Sequence, residues 1–238
     1  MSETERKRIL AVGAHPDDIE FGCGAILLKE ASLGSHIGLL VCSLGEAGSN
    51  GTPEVREQEC REASSLLEAS LTFLDCGGDS KIEASRANAL LIAKEIRRLR
   101  PDVVLAPTDT VNQHPDHVAI SNVTRDAARL ARYGGLEELK AFSPHAVESL
   151  FYYAITPGAA REGGTPFLVD VSPFVSAWEA LMNCHASQMK TRNYLELQVS
   201  NSRTLGLQMG VTHGQALWPN DPVVIDSLNS APPGARLF

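Results

Sequence analysis

The chain has 238 residues, with 21 Lys+Arg against 29 Asp+Glu, a formal charge of −8, and 43% hydrophobic residues. A chain of this length can bury about 70% or more of its unfolded surface and needs no disulfide or structural metal to fold. No apolar run reaches the ~18–20 residues of a membrane span, no cleavable apolar segment follows the polar Met1–Arg8, and the acidic balance argues against a nucleic-acid partner, which calls for a basic face.

Arg8 to Ala14 (RILAVGA) is a short apolar run ending near Gly, the pattern of a buried strand. Ile26, Leu27, Ala31 and Leu33 give a short helical face closed by Gly34, and His36 to Ser43 is a second strand. A Gly/Ser/Asn loop runs from Gly45 to Thr52, where Thr52-Pro53 reads as N-cap and first residue of a helix fading near Ala69. Leu71 to Asp75 is a brief strand, and Ala84 to Arg100 is a helix with Ala89, Ile92, Ile96 and Leu99 on one stripe, stopped by Pro101. Asp102 to Ala106 is another buried strand, and His117 to Tyr133 reads as helix. This alternation predicts an α/β fold: a Rossmann-like three-layer sandwich with a mostly parallel sheet. After Gly135 the pattern loosens into strands at Ser149–Ile155 and Phe167–Val171, a mostly helical Phe174–Arg203, and a last strand at Pro222–Ile225. We read one domain over 1–238, with a core of about 7–135, a C-terminal elaboration of about 136–229 and an irregular tail over 230–238.

The five cysteines (Cys23, Cys42, Cys60, Cys76, Cys184) are odd in number and form no CxxC pair, which fits free thiols in a cytoplasmic protein. Two polar clusters fall where strands end, and there open α/β sheets bind ligands. One is His15-Pro16-Asp17-Asp18, directly after the first strand; the other is Asn112-Gln113-His114-Pro115-Asp116-His117. His15 and Asp18, three apart across a turn, can converge on one divalent ion, while Asp17, adjacent to Asp18, diverges toward a water. His114 and His117 have the same spacing; one can complete the ligand set and the other stay free for proton chemistry. Nitrogen and oxygen ligands suit Zn2+, with another divalent transition metal as the alternative. Each cluster alone also reads as an ordinary acidic helix N-cap or surface turn; their occurrence at matching strand ends favours a metal site.

With AVGAHPDDIEFGCGAIL, LGEAGSNGTPEVREQE and HPDHVAI in place, and fainter matches at SPHAVESLFYY and HASQM, the sequence resembles the LmbE-like, or PIG-L, family of zinc-dependent N-acetylglucosamine deacetylases. The resemblance implies zinc on His15, Asp18 and His117, Asp17 as general base, His114 as electrophilic or acid partner, and Asp116 as the carboxylate that orients His114. It also implies Arg56 as a holder of substrate hydroxyls and Tyr194 near the reaction centre; Glu46 and Asn50 of the glycine-rich loop can meet sugar hydroxyls. A homo-oligomer, trimer or hexamer, is implied likewise. The implied activity is hydrolysis of the acetamide of an N-acetylated sugar conjugate. Alternatives are another metal-dependent amidase or esterase on the same scaffold, or a non-enzymatic sugar or nucleotide binder, although Gly22-Cys23-Gly24 lacks the full GxGxxG. Two departures stand out: HPDDIE replaces the frequent HPDDE, and Gln215 stands where relatives often carry Glu, which draws attention to the rim of the site.

Overall fold

The computed structural model describes residues 6–161 and 163–235; residues 1–5 of the polar N-terminal segment and 236–238 of the tail lie outside the described residues. The first strand, β1 (Arg8–Gly13), pairs in parallel with β2 (His36–Val41) and with β4 (Val103–Pro107), and β2 with β3 (Ser70–Phe73). β5 (Ser149–Tyr153) continues the parallel set beside β4. Strand β7 (Gly214–Pro219) runs antiparallel to both β5 and β6 (Phe167–Asp170), giving the order β3-β2-β1-β4-β5-β7-β6.

The continuous apolar run of β1 follows from burial on both faces, as parallel strands require. Leu10 and Val12 join one core with Ile92, Ile96, Ile120 and Val123 of helices α3 (Arg86–Leu99) and α4 (Pro115–Ala131). Ile9 and Ala11 point the other way, into a core with Leu27 of α1 (Asp18–Ser32), Cys60 of α2 (Pro53–Leu66), and Trp178 and Leu181 of α5 (Val175–Asn183). The result is a three-layer α/β sandwich. Because the chain leaves β1 toward β2 and resumes on β1's other side with β4, the crevice beyond β1 and β4 is the switch point of the sheet.

The helices begin where caps permit. Thr52 Oγ1 accepts from Val55 N at the start of α2, and Ser85 Oγ from Asn88 N at the start of α3. α4 starts at Pro115, two residues earlier than its apolar face suggests, with His114 as N-cap and proline in the first turn. The stretch Phe174–Arg203 is not one helix: α5 stops at Asn183, and α6 (Tyr194–Met209) restarts where Asn193 Oδ1 accepts from Glu196 N. The strand expected at Pro222–Ile225 is absent, and Val224 there is 91% exposed. The last strand is instead β7, in a segment whose polar Gln215 masks its character.

Two glycines of α1 answer to packing rather than to a cofactor. A Cβ at Gly22 would collide with the Tyr153 ring, and one at Gly24 would press on Trp178 and Leu181. Gln215, from β7, is 5% exposed and not at the rim. Its Oε1 accepts from Ile26 N at 2.9 Å, and its Nε2 lies 3.5 Å from Gly22 O. An α-helix joins those two backbone groups to each other, so the amide of Gln215 brackets one rung of α1.

Candidate active site

The loops after β1, β2, β3 and β4 meet over the switch point around a cavity of about 400 Å³. Asp18 opens α1, and its Oδ2 accepts from the backbone N–H groups of Ala14 (2.9 Å) and His15 (2.8 Å). These bonds fix the carboxylate against two imidazoles brought from different loops. His117 Nε2 is 3.1 Å from Asp18 Oδ1, His15 Nδ1 is 3.5 Å from Asp18 Oδ2, and the two nitrogens are 3.2 Å apart. Metal–ligand bonds of about 2.0–2.1 Å in a tetrahedral arrangement separate neighbouring ligand atoms by about 3.3–3.4 Å. The two imidazole nitrogens stand at that spacing, and each faces a different oxygen of Asp18, so the three side chains converge on one point. His114 also places a nitrogen within 4.8 Å of those of His15 and His117.

The far nitrogen of His15 faces two carboxylates. Nε2 lies 3.1 Å from Asp116 Oδ2 and 3.1 Å from Asp79 Oδ1, so on a metal-bound ring it would donate there while Nδ1 faced the ion, as histidine ligands backed by carboxylates do. Without an ion, burial works against charge on His15, but Asp116, Asp18 and Asp79 outweigh it and raise its pKa to about 12. Burial likewise opposes ionisation of Asp18, yet His117 and His15 hold it well below the ordinary carboxylate range.

Asp116 stands nearer to His15 than to His114, the ring it is expected to orient. It is 2% exposed, accepts from Ser80 N at 2.6 Å, and stands 4.0 Å from His114 Nδ1 against 3.1 Å from His15. The Nδ1 of His114 accepts instead from the backbone N–H of Asp116 at 3.2 Å. The short His-Pro-Asp turn directs the carboxylate inward and the backbone amide at the ring. His114 borders the cavity with its side chain 37% exposed, and burial followed by the charge of His15 lowers its pKa.

Asp17 faces the same cavity from a strained backbone, φ +101°, a conformation that costs a non-glycine residue about 1–3 kcal/mol and gathers at functional sites. Burial and the neighbouring charge of Asp18 raise its pKa to about 7, opposed by Arg56 and His185. Arg56 is 4% exposed; its Nη2 donates to Pro16 O at 2.8 Å and lies 3.5 Å from Asp17 Oδ2, while Nη1 donates to Gly45 O at 3.1 Å. A side chain at Gly45 (φ +71°) would collide with this guanidinium. Tyr194 lines the cavity and stacks on Phe21, ring centroids 5.7 Å apart.

Two loop residues proposed for sugar hydroxyls are engaged elsewhere. Glu46 accepts from Asp79 N at 2.8 Å and from Leu44 N at 3.2 Å, and Asn50 turns toward Thr191. Neither lines the cavity; Ala47, Gly48 and Ser49 do. Sequence reasoning missed Asp79, whose GGDS turn carries no periodic signal, and also Gln188 and Ile155, which complete the walls. Gln113 was legible only as part of the second cluster.

Comparison with known proteins adds four likenesses. The family model described as PIG-L, GlcNAc-PI de-N-acetylase, matches residues 10–128. The chain is 28% identical over 226 residues to 1D-myo-inositol 2-acetamido-2-deoxy-alpha-D-glucopyranoside deacetylase 2 of Catenulispora acidiphila, covering 77% of this chain and 74% of that one. Among solved structures, a conserved protein of Thermus thermophilus is 33% identical, with a TM-score of 0.82 over 95% of this chain and 100% of the other. The 4-carboxy-2-hydroxymuconate hydratase of Pseudomonas putida shares the fold, at 20% identity and a TM-score of 0.80 over 93% and 99% of the two chains.

Proposed function

The chain belongs to the PIG-L family, and from that premise we propose that it hydrolyses the acetamide of an N-acetylglucosamine-type sugar conjugate, releasing acetate and the free amine. The observation that carries this reading is the placement of Asp17: a cavity-facing carboxylate in strained backbone, next to the His15, Asp18 and His117 cluster and across from His114. Those three residues would hold Zn2+ or another divalent transition metal, which when bound supplies Lewis acidity to the acyl oxygen and to water.

The chain's own groups divide the remaining work. Asp17, kept in reach of Arg56, takes the proton of the attacking water, an effect of about 10²–10⁴-fold for a positioned base. His114 stands at the cavity wall, its Nδ1 held by the backbone and its Nε2 left to donate to the developing oxyanion, about 10²–10³-fold for one such donor. Phe21, Ile155 and Tyr194 offer an apolar wall to the acyl methyl, and Gly48, Ser49 and Gln188 a polar rim to the sugar. The absence of a basic groove among the described lining residues suits an uncharged sugar amide.

The test is release of acetate from N-acetylglucosamine conjugates by the metal-loaded protein and by Asp17→Asn. Metal content should stay while turnover falls by about 10²–10⁴-fold; turnover at the wild-type level in the variant would remove Asp17 from its role. A second reading, another water-dependent reaction at the same centre, is kept alive by the shared fold of the hydratase. A panel of esters, other amides and unsaturated acids separates the two. Free cysteines throughout support a reducing, cytoplasmic setting, and the exposed Val224 and Leu228 support self-association, which light scattering on the purified chain measures.

A further inference from the structure

A second cluster of ligand-type side chains lies outside the cavity lining. Glu20 of α1, Cys60 of α2 and His185, just after α5, are 2%, 0% and 0% exposed. One candidate ligand atom from each lies within 4.8 Å of the other two. His185 Nε2 has only the 3.4 Å contact with Glu20 Oε2, and Nδ1 of this fully buried imidazole has no hydrogen-bond partner among the described residues. Buried ring nitrogens are normally satisfied, so the trio wants a shared partner.

We propose that Glu20, Cys60 and His185 form a second metal site, which takes a thiophilic, zinc-like divalent cation. Thiolate, imidazole and carboxylate together match that ion's ligand preferences, and one thiolate with one carboxylate cancels its charge, as a dry interior demands. The three groups come from three elements: α1, α2 and the connection between α5 and α6. The ion would tie these together directly behind the residues that carry Asp17 and Arg56. Bonds of about 2.0–2.3 Å bring ligand atoms to about 3.3–3.7 Å; Glu20 and His185 already stand at 3.4 Å, so the closure on binding falls to the Cys60 sulfur. Burial, then Glu20, raises the Cys60 thiol well above its ordinary value; binding therefore forms the sulfur–metal bond and releases the thiol proton to solvent. A bridging water is the competing partner, but a thiol offers it little.

Cobalt substitution decides the matter, because the cavity cluster contains no sulfur. Protein stripped by chelator and reloaded with Co2+ should show a near-ultraviolet thiolate-to-cobalt charge-transfer band and bind one equivalent beyond the cavity site. Cys60→Ser should abolish the band and lose that one equivalent, keeping the other as evidence of an intact fold. His185→Gln should weaken the band, and Asp18→Ala should retain it while losing the cavity equivalent. A wild-type protein without the band, or a band that survives Cys60→Ser, overturns the proposal. Loss of the Asp18 equivalent alone leaves the second site standing, so the two centres are judged separately.

Discussion

Among single side chains, His15 carries the heaviest load of charge: Asp18 faces one ring nitrogen, Asp79 and Asp116 the other. Asp79→Asn or Asp116→Asn should weaken metal binding about 10–100-fold, as loss of a carboxylate behind a ligand histidine does; chelator competition measures it. In the metal-free protein the raised pKa of His15, about 12 against an ordinary 6.5, means the folded state holds a proton that the unfolded chain gives up. That stabilisation is full below about pH 6.5 and declines as pH rises toward 12. The depressed pKa of Asp18 acts oppositely, contributing above its ordinary value and losing its contribution in acid. Denaturant titrations of the stripped protein should therefore find this cluster's support greatest between about pH 4 and 6.5, and metal uptake at neutral pH should release protons into a weak buffer. The HPDD and HPDH residues announce themselves in the sequence by type and spacing. Their hydrogen-bond partners do not, because Asp79 arrives from a loop with no periodicity and a proline turn decides which way Asp116 points.

Within elements, α1 shows how a helix with two glycines is held. Gly22 and Gly24 let Tyr153 and Trp178 approach its backbone, and Trp178 Nε1 donates to Glu20 O at 2.7 Å. Gly22→Ala should cost about 1–3 kcal/mol by overpacking against a fully buried ring. Gln215→Ala should cost about 0.5–1.5 kcal/mol by removing the side-chain acceptor from Ile26 N–H. Urea melts check both, and neither residue lines the cavity, so turnover per folded molecule should be unaffected. The first half of the chain was readable because β1, β2 and β4 are apolar runs and each helix has a cap or stop. In the second half β5 and β6 fall within the expected strands, but β7 carries a buried amide near its start, and the break between α5 and α6 is set by long-range bonds such as Ser187 N and Oγ to Glu59.

For the molecule as a whole, the parallel order of β3-β2-β1-β4-β5 collects the loops that carry the polar cluster at the carboxyl ends of the strands, with Gln188 added from the connection between α5 and α6 and Tyr194 from the start of α6. That collection was foreseeable from alternating strands and helices alone, whereas the antiparallel β7 and β6 that finish the sheet were only partly so. The net charge of −8 is a whole-molecule property that the site does not share: locally, carboxylates face imidazoles and Arg56.

The same polarity has a practical side. β1 is entered at Arg8 on the edge opposite the cavity and leaves the sheet at Gly13, directly before His15. A support, label or fusion partner joined ahead of β1 therefore hangs from the far end of the sandwich. Such a tethered protein should keep its cavity open to bulk solution, and immobilisation through that end suits binding measurements with bulky sugar conjugates.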